Sequence, residues 1–323
     1  MKISQHLPKR ITRRGIQIAL GILWLLDGLL QLQHQMFSSN FATQVIAPAG
    51  QGQPIPVYGP INFEIHMLLL HPALFNAIFA AIQIALGILI LYRKTVRVGL
   101  SASVVWGLAV WWMGEGFGGL LSGQTSILLG APGAALLYVL IALAIFPKKE
   151  TKSKEQHTPA YWLPAVWAVL WLMGAIYQLL PGQNSAADVA STIAGNAGGG
   201  TPGWLSSLDI HTANFIHGKG VSFVILIAAV QATIGILVLA PGKVRRVAIY
   251  VGIALSLAFW IVGQSLGAYF TGLATDPSTA PLFILLGVAI LGTNGTSYKL
   301  LKRDIATLVA RINTIQAPKL PVT

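Results

Sequence analysis

Two acidic side chains fall inside long apolar runs. Asp27 sits in Leu23-Trp24-Leu25-Leu26-Asp27-Gly28, and Glu115 in Gly114-Glu115-Gly116-Phe117-Gly118-Gly119. Ionisable groups are costly in hydrocarbon, so an acid that stays there marks function by default. Asp27 lies about 12 residues into its run, roughly 18 Å along a helix and near mid-membrane. Glu115 falls toward the outer end of its own run. Both are candidate catalytic residues, as proton donors or relays. The competing reading makes them neutral acids that hydrogen-bond to neighbouring helices.

Histidine supplies the second signal. Glu64-Ile65-His66 and Asp209-Ile210-His211 form a repeated acid-x-His element, followed by His71 and His217 respectively. Neutral imidazole suits haem iron, copper or zinc, so His66, His71, His211 and His217 are candidate cofactor ligands. They can equally serve as proton donors beside a quinone, or bond to outer-loop backbone at the membrane interface. In one straight helix His66 and His71 stand about 140° apart and share no face, whereas Glu64 and His71 do. A metal site would need ligands from several helices, and the metal itself is not specified. There are no cysteines. That removes disulfides, thiol catalysis, iron–sulfur clusters and covalent haem, and leaves a quinone, a non-covalent cofactor such as haem, or a metal held by His and carboxylate to consider.

The elements that position these residues are membrane spans. Of 323 residues 54% are hydrophobic and 9% charged, against about 25% charged in a soluble domain. Runs near the 20 apolar residues a span needs occur at 15–34, 65–92, 98–121, 127–146, 161–180, 220–240, 247–270 and 277–293. The second is long, and Pro72 is placed to break or kink it. The net charge of +12 sits in short clusters between the runs, such as Arg93, Lys94 and Arg97. This is the distribution of membrane-flanking charge, and nucleic acid is excluded as a partner. With eight crossings, every Lys and Arg except Lys219 falls on the side of both termini, which the positive-inside rule makes cytoplasmic.

The chain also repeats at an offset near 147. Trp24 corresponds to Trp171, Gln31 to Gln178, Gln83 to Gln231, Gly87 to Gly235, Trp111 to Trp260, and Gly114-Glu115 to Gly263-Gln264. The expected fold is all-α and integral to the membrane: eight transmembrane helices as two parallel-repeat four-helix bundles. The first unit is 1–146, a cytoplasmic linker covers 147–160, the second unit is 161–293, and 294–323 is an amphipathic cytoplasmic tail. The loop 35–60 reads as carrying a short helix on the outer surface. The polar residues gather in the outer half of each unit, which predicts one outward-facing polar cavity per unit.

Each four-span unit resembles the DoxX-like superfamily of bacterial membrane proteins, which includes the DoxD subunits of thiosulfate:quinone oxidoreductases. The resemblance rests on the segments around Asp27 and Glu115 and on the long loop before a His-bearing second span. It implies a redox-associated subunit, quinone- or haem-linked, in a bacterial or archaeal plasma membrane with partner subunits. The tandem double unit departs from the usual single bundle. The alternative is a non-enzymatic scaffold, or a carrier for a small molecule or metal ion.

Overall fold

The computed structural model describes residues 11–123, 125–147 and 159–292. The amphipathic tail expected at 294–323 and most of the linker lie outside them. Among the described residues the fold is all-helical, with no strand. The helices of ten or more residues are α1 (Arg13–Leu30), α2 (Ile55–Leu70), α3 (Pro72–Leu91), α4 (Val96–Met113), α5 (Ala134–Ala144), α6 (Leu163–Tyr177), α7 (Ala186–Gly195), α8 (Gly203–His217), α9 (Val221–Leu237), α10 (Gly242–Ala258) and α11 (Thr279–Leu291).

Three helical segments are long and apolar enough to cross a membrane: α3, α4, and α10 with its extension to Gly263. A fourth crossing is made if α8 and α9, bent by 108° at their junction, form one broken span. α1 has the length, at 18 residues, but carries Arg13, Arg14 and Asp27, and α5, α6 and α11 are shorter apolar helices. The 11 residues of α5 reach about 16 Å, because 127–133 of the same run is used in turns. The residues that these helices turn outward are largely apolar, among them Ile88, Val105, Leu226 and Val247, as a lipid-facing surface requires.

The run 65–92 is broken at the proline, as its sequence leads one to expect. His71 leaves helical geometry (φ −142°, ψ 66°) and Pro72 starts α3, because proline suits a first helical turn and disfavours an interior position. The helical-wheel relation of His71 to His66 and Glu64 is therefore void. The segment 35–60 carries short helical stretches, Phe41–Ile46 and Ala47–Ala49, with one side turned into the protein. Met36, Phe41 and Ile46 are buried and pack with Val57, Ile61 and Leu68 of α2 as a small separate core.

Packing follows the repeat. α1 lies along α3 and α6 along α9; α4 packs on α5 and α10 on α11. α5 and α11 touch each other, and one hydrophobic core runs through both halves. Gly87 permits the α1–α3 approach: a Cβ there would sit 2.8 Å from the Gly21 carbonyl oxygen, and one at its counterpart Gly235 would sit 2.9 Å from that of Ala168. Cations close the C-terminal ends of α3 and α9. Arg14 donates to the carbonyls of Ile90 and Leu91 at the end of α3, and Arg245 to those of Val238 and Ala240 after α9, where the helix dipole favours positive charge.

The most specific duplicated feature follows α4 and α10. Gly116-Phe117-Gly118-Gly119 and Ser265-Leu266-Gly267-Ala268 each run through four positive-φ residues. Left-handed backbone costs a non-glycine residue about 1–2 kcal/mol, so the second copy holds its turn against strain at three positions. Trp111 Nε1 donates to the Pro132 carbonyl at 2.7 Å, and Trp260 Nε1 to that of Pro277 at 2.9 Å. A Cβ on Gly118 would overlap the Pro132 backbone, whereas one on Gly267 would meet the Pro277 oxygen at 2.9 Å. Gly118→Ala is therefore expected to lower the melting temperature at least twice as far as Gly267→Ala, measured on detergent-solubilised protein.

Candidate functional site

A cavity of about 590 Å³ lies among α1, α2, α3, α4 and α5, and is closed on one side by the 275–279 segment from the far end of the chain. Four acids line it: Asp27, Glu64, Glu115 and Asp276. Its walls are aromatic and aliphatic, including Trp24, Phe79, Trp106 and Tyr138, and among the described residues no Lys, Arg or His contributes to it. Trp24 and Tyr138 rings lie 4.3 Å apart, and Phe79 meets Trp106 edge-on at 5.5 Å.

Asp27 is 1% exposed. α1 carries it on the face turned to α3 and α5, and the residue beside it, Gly28, lets Ile84 of α3 close in. The Tyr138 hydroxyl interacts with the Asp27 carboxyl, without conventional hydrogen-bond geometry. Asp27 Oδ1, the Tyr138 hydroxyl, Gln31 Oε1 and Gln83 Oε1 are buried with no hydrogen-bond partner among the described residues. An unsatisfied buried polar atom costs about 1–3 kcal/mol. With Trp106 Nε1, also unpartnered, five such atoms belong to residues around one cavity and make a donor and acceptor set for something held inside it. The neighbouring polar groups are committed: Trp24 Nε1 donates to Ser103 Oγ at 2.9 Å, and Asn76 Nδ2 to the Gln31 carbonyl at 2.7 Å.

Glu115 is placed differently from Asp27. It lies beyond the end of α4, not within it. The Ala135 N–H donates to both its carboxylate oxygens at 3.0 and 3.2 Å. Its carboxyl rests on Gly133, where any side chain would collide with it. It thus closes the N-terminus of α5, a favoured position for a negative group. Gln264 does the same for α11: its Oε1 accepts from Ala280 N at 3.1 Å, and its Nε2 donates to Thr279 Oγ1 at 3.0 Å.

The four histidines are not brought together. His66 and His71 are exposed on α2 and at the α2–α3 break, and His211 and His217 are exposed on α8. Nδ1 of His66 is 2.7 Å from the Asn62 carbonyl oxygen one turn back. None of the four lines the cavity, and no group of three or more metal-ligating side chains occurs among the described residues. The acids of the two acid-x-His elements do turn inward. Glu64 lines the cavity, and Asp209 is buried with Ser265 Oγ donating to it at 3.4 Å.

Asp276 and Tyr138 are site residues that the residue pattern did not single out. Asp276 belongs to a loop about 250 positions along the chain from Asp27. Its sequence signal is an Asx turn, Asp276-Pro277-Ser278. Oδ1 accepts from Ser278 N and Oδ2 from Thr275 Oγ1, both at 2.7 Å. Burial pushes its carboxyl above the usual carboxylate range, against the pull of those two hydrogen bonds. An acid raised on folding loses stability as pH climbs from its unfolded value, about 3.9, towards its folded one, because the unfolded state releases the proton first. Asp276→Asn should remove that slope. Its melting temperature should gain on the native protein's between pH 4 and pH 7.

The second half does not repeat the cavity. Gly174 stands where Asp27 does, and the space a Cβ would take there is filled by Ile127 and by Gln231, the counterpart of Gln83. The Ile127 carbonyl also accepts from Gln264 Nε2 at 3.2 Å, and Leu128 packs onto Gly263. The 127–129 turn of the first half thus fills the equivalent space in the second, while 275–279 of the second lines the cavity of the first. Of the two cavities expected, one is present in the first half, and its duplicate position is filled from across the repeat. Comparison of the chain with protein-family models, with curated proteins and with solved structures gives no match.

Proposed function

We propose that this chain is a multi-pass membrane protein that holds a quinone in the first-half cavity, as a redox-associated membrane subunit. One observation carries the reading. An aromatic-walled cavity of about 590 Å³ presents buried Asp27, Tyr138, Gln31 and Gln83 atoms that lack partners. A quinone offers a flat ring to the aromatic walls. A protonated Asp27 and the Tyr138 hydroxyl donate to its two carbonyl oxygens, and the Gln31 and Gln83 side-chain oxygens accept from the hydroxyls of the quinol. Asp27 and Tyr138 exchange protons with the ring oxygens. Reduction to the quinol takes two protons and two electrons, and the electrons come from a partner redox subunit. Haem fits less well. Its two carboxylates would face four acids with no cation in the described cavity wall, and the histidines lie outside.

The remaining features extend the proposal. The duplicated helix caps, tryptophan bonds and left-handed turns support two parallel four-helix units of the DoxX-like kind. They make eight crossings in a bacterial or archaeal plasma membrane, with both termini cytoplasmic by the distribution of Lys and Arg. The specific favour for a carrier, the second reading, is the excess of acids over bases in the cavity, which suits a lipophilic cation.

Titration of the protein in lipid nanodiscs with decylubiquinone should quench tryptophan fluorescence saturably, with one site per chain. A reduced-minus-oxidised spectrum should show no Soret band. Saturable binding of a lipophilic amine without quinone binding would establish the carrier reading instead, and a Soret band shifting on reduction would restore haem.

A further inference from the structure

A second concavity, of about 660 Å³, runs along the outside of the molecule between α3 and α4. It shares Ile82, Trp106 and Ala109 with the central cavity. Those three side chains are the partition between the two. The outer wall is apolar, with Val98 and Val105 largely exposed, and Arg97 is its one charged side chain among the described residues. Trp106 is half-buried in the partition, leaning on Phe79, and its Nε1 is buried without a hydrogen-bond partner. No polar bond therefore pins the indole in place, and rotation of this side chain would join the two spaces.

We propose that the cavity's ligand is a ring with a long hydrocarbon tail, which enters sideways from the bilayer past Trp106 and leaves its tail in the α3–α4 groove. This rests on the quinone reading and narrows its substrate class to lipid-tailed quinones. The groove is continuous with the ring site through shared residues. It faces the apolar phase in which such a tail is dissolved, and apart from the Trp106 indole its polar side chains among the described residues are Arg97 and Ser101, one turn apart at one end. A water-soluble ring compound would have no use for it.

The test compares two probes of the same ring, decylubiquinone and the tail-free 2,3-dimethoxy-5-methyl-1,4-benzoquinone, on the full chain in phosphatidylcholine nanodiscs. Val105→Trp fills the groove from an exposed position that does not touch the ring cavity. It should weaken decylubiquinone binding by about tenfold, equivalent to burying two methylenes fewer, and leave the tail-free probe unchanged. Val98→Trp, also exposed, should act in the same direction and guards against a folding defect in either variant. Equal weakening of both probes, or of neither, would overturn the groove assignment while leaving the ring site standing. If the native protein binds neither probe, the quinone reading falls and the groove assignment with it.

Discussion

Asp27→Leu is expected to weaken quinone binding by about tenfold or more, since a buried hydrogen bond to a ligand is worth about 1–3 kcal/mol. The carboxyl stands in the cavity wall, 1% exposed, with Oδ1 unpartnered. Leucine keeps the volume and removes the hydrogen-bonding group. Asp27→Asn separates two roles of the same side chain. The amide can still hydrogen-bond a ring carbonyl, so affinity should stay within about threefold, but it cannot carry a proton. Binding to the native protein should therefore depend on pH where binding to Asp27→Asn does not. Tyr138→Phe should cost about threefold to tenfold by removing one hydroxyl from the cavity wall. The pair should be non-additive, because both groups line one cavity and each substitution changes the surroundings of the other. Fluorescence titration at several pH values, with melting curves as the folding control, reads all of these.

The second large effect separates Glu115 from Asp27. If its main work is to close α5, Glu115→Gln should be almost silent in stability, because the protein itself uses glutamine for the same task at Gln264. Glu115→Ala should cost about 1–2 kcal/mol, the usual loss on removing a helix cap. It also leaves the Ala135 N–H without its acceptor. Quinone affinity should follow stability in these two variants, not proton chemistry. A large loss of pH-dependent binding in a stable Glu115→Gln protein would instead make Glu115 part of a proton path.

Much of the helical framework was legible because a crossing needs a long apolar run, and such runs are hard to disguise. The pairing of α1 with α3 and of α6 with α9 follows glycines that the repeat itself marked, Gly87 and Gly235. Helix ends were less legible. The run 98–121 stops being helix at Met113 because three glycines and Phe117 take left-handed backbone, and this moves Glu115 from a helix face to a helix cap. The four histidines are exposed on α2, at the α2–α3 break and on α8, and none lines the cavity; the acid of each acid-x-His element is the residue that turns inward.

The site itself was half legible. Asp27 stood out as a lone acid in a long apolar run, and Gln31 and Gln83 as duplicated amides. Tyr138 did not, because a tyrosine in an apolar helix gives no pattern of its own. Asp276 could not be assigned to Asp27 from the chain, since only the packing of α11 against α5 brings the second half's loop over the first half's cavity. Ile127 is the plainest case. Nothing in an isoleucine beside two leucines announces that it fills the space beside Gly174.

The central claim is that the first-half cavity holds a quinone through Asp27 and Tyr138. Organic extraction of protein purified in mild detergent, with the released quinone counted per chain, tests it most directly. The account predicts about one quinone per native chain and a large loss in a folded Asp27→Leu, Tyr138→Phe double variant. No quinone in the native protein, or the same amount in both, would contradict it.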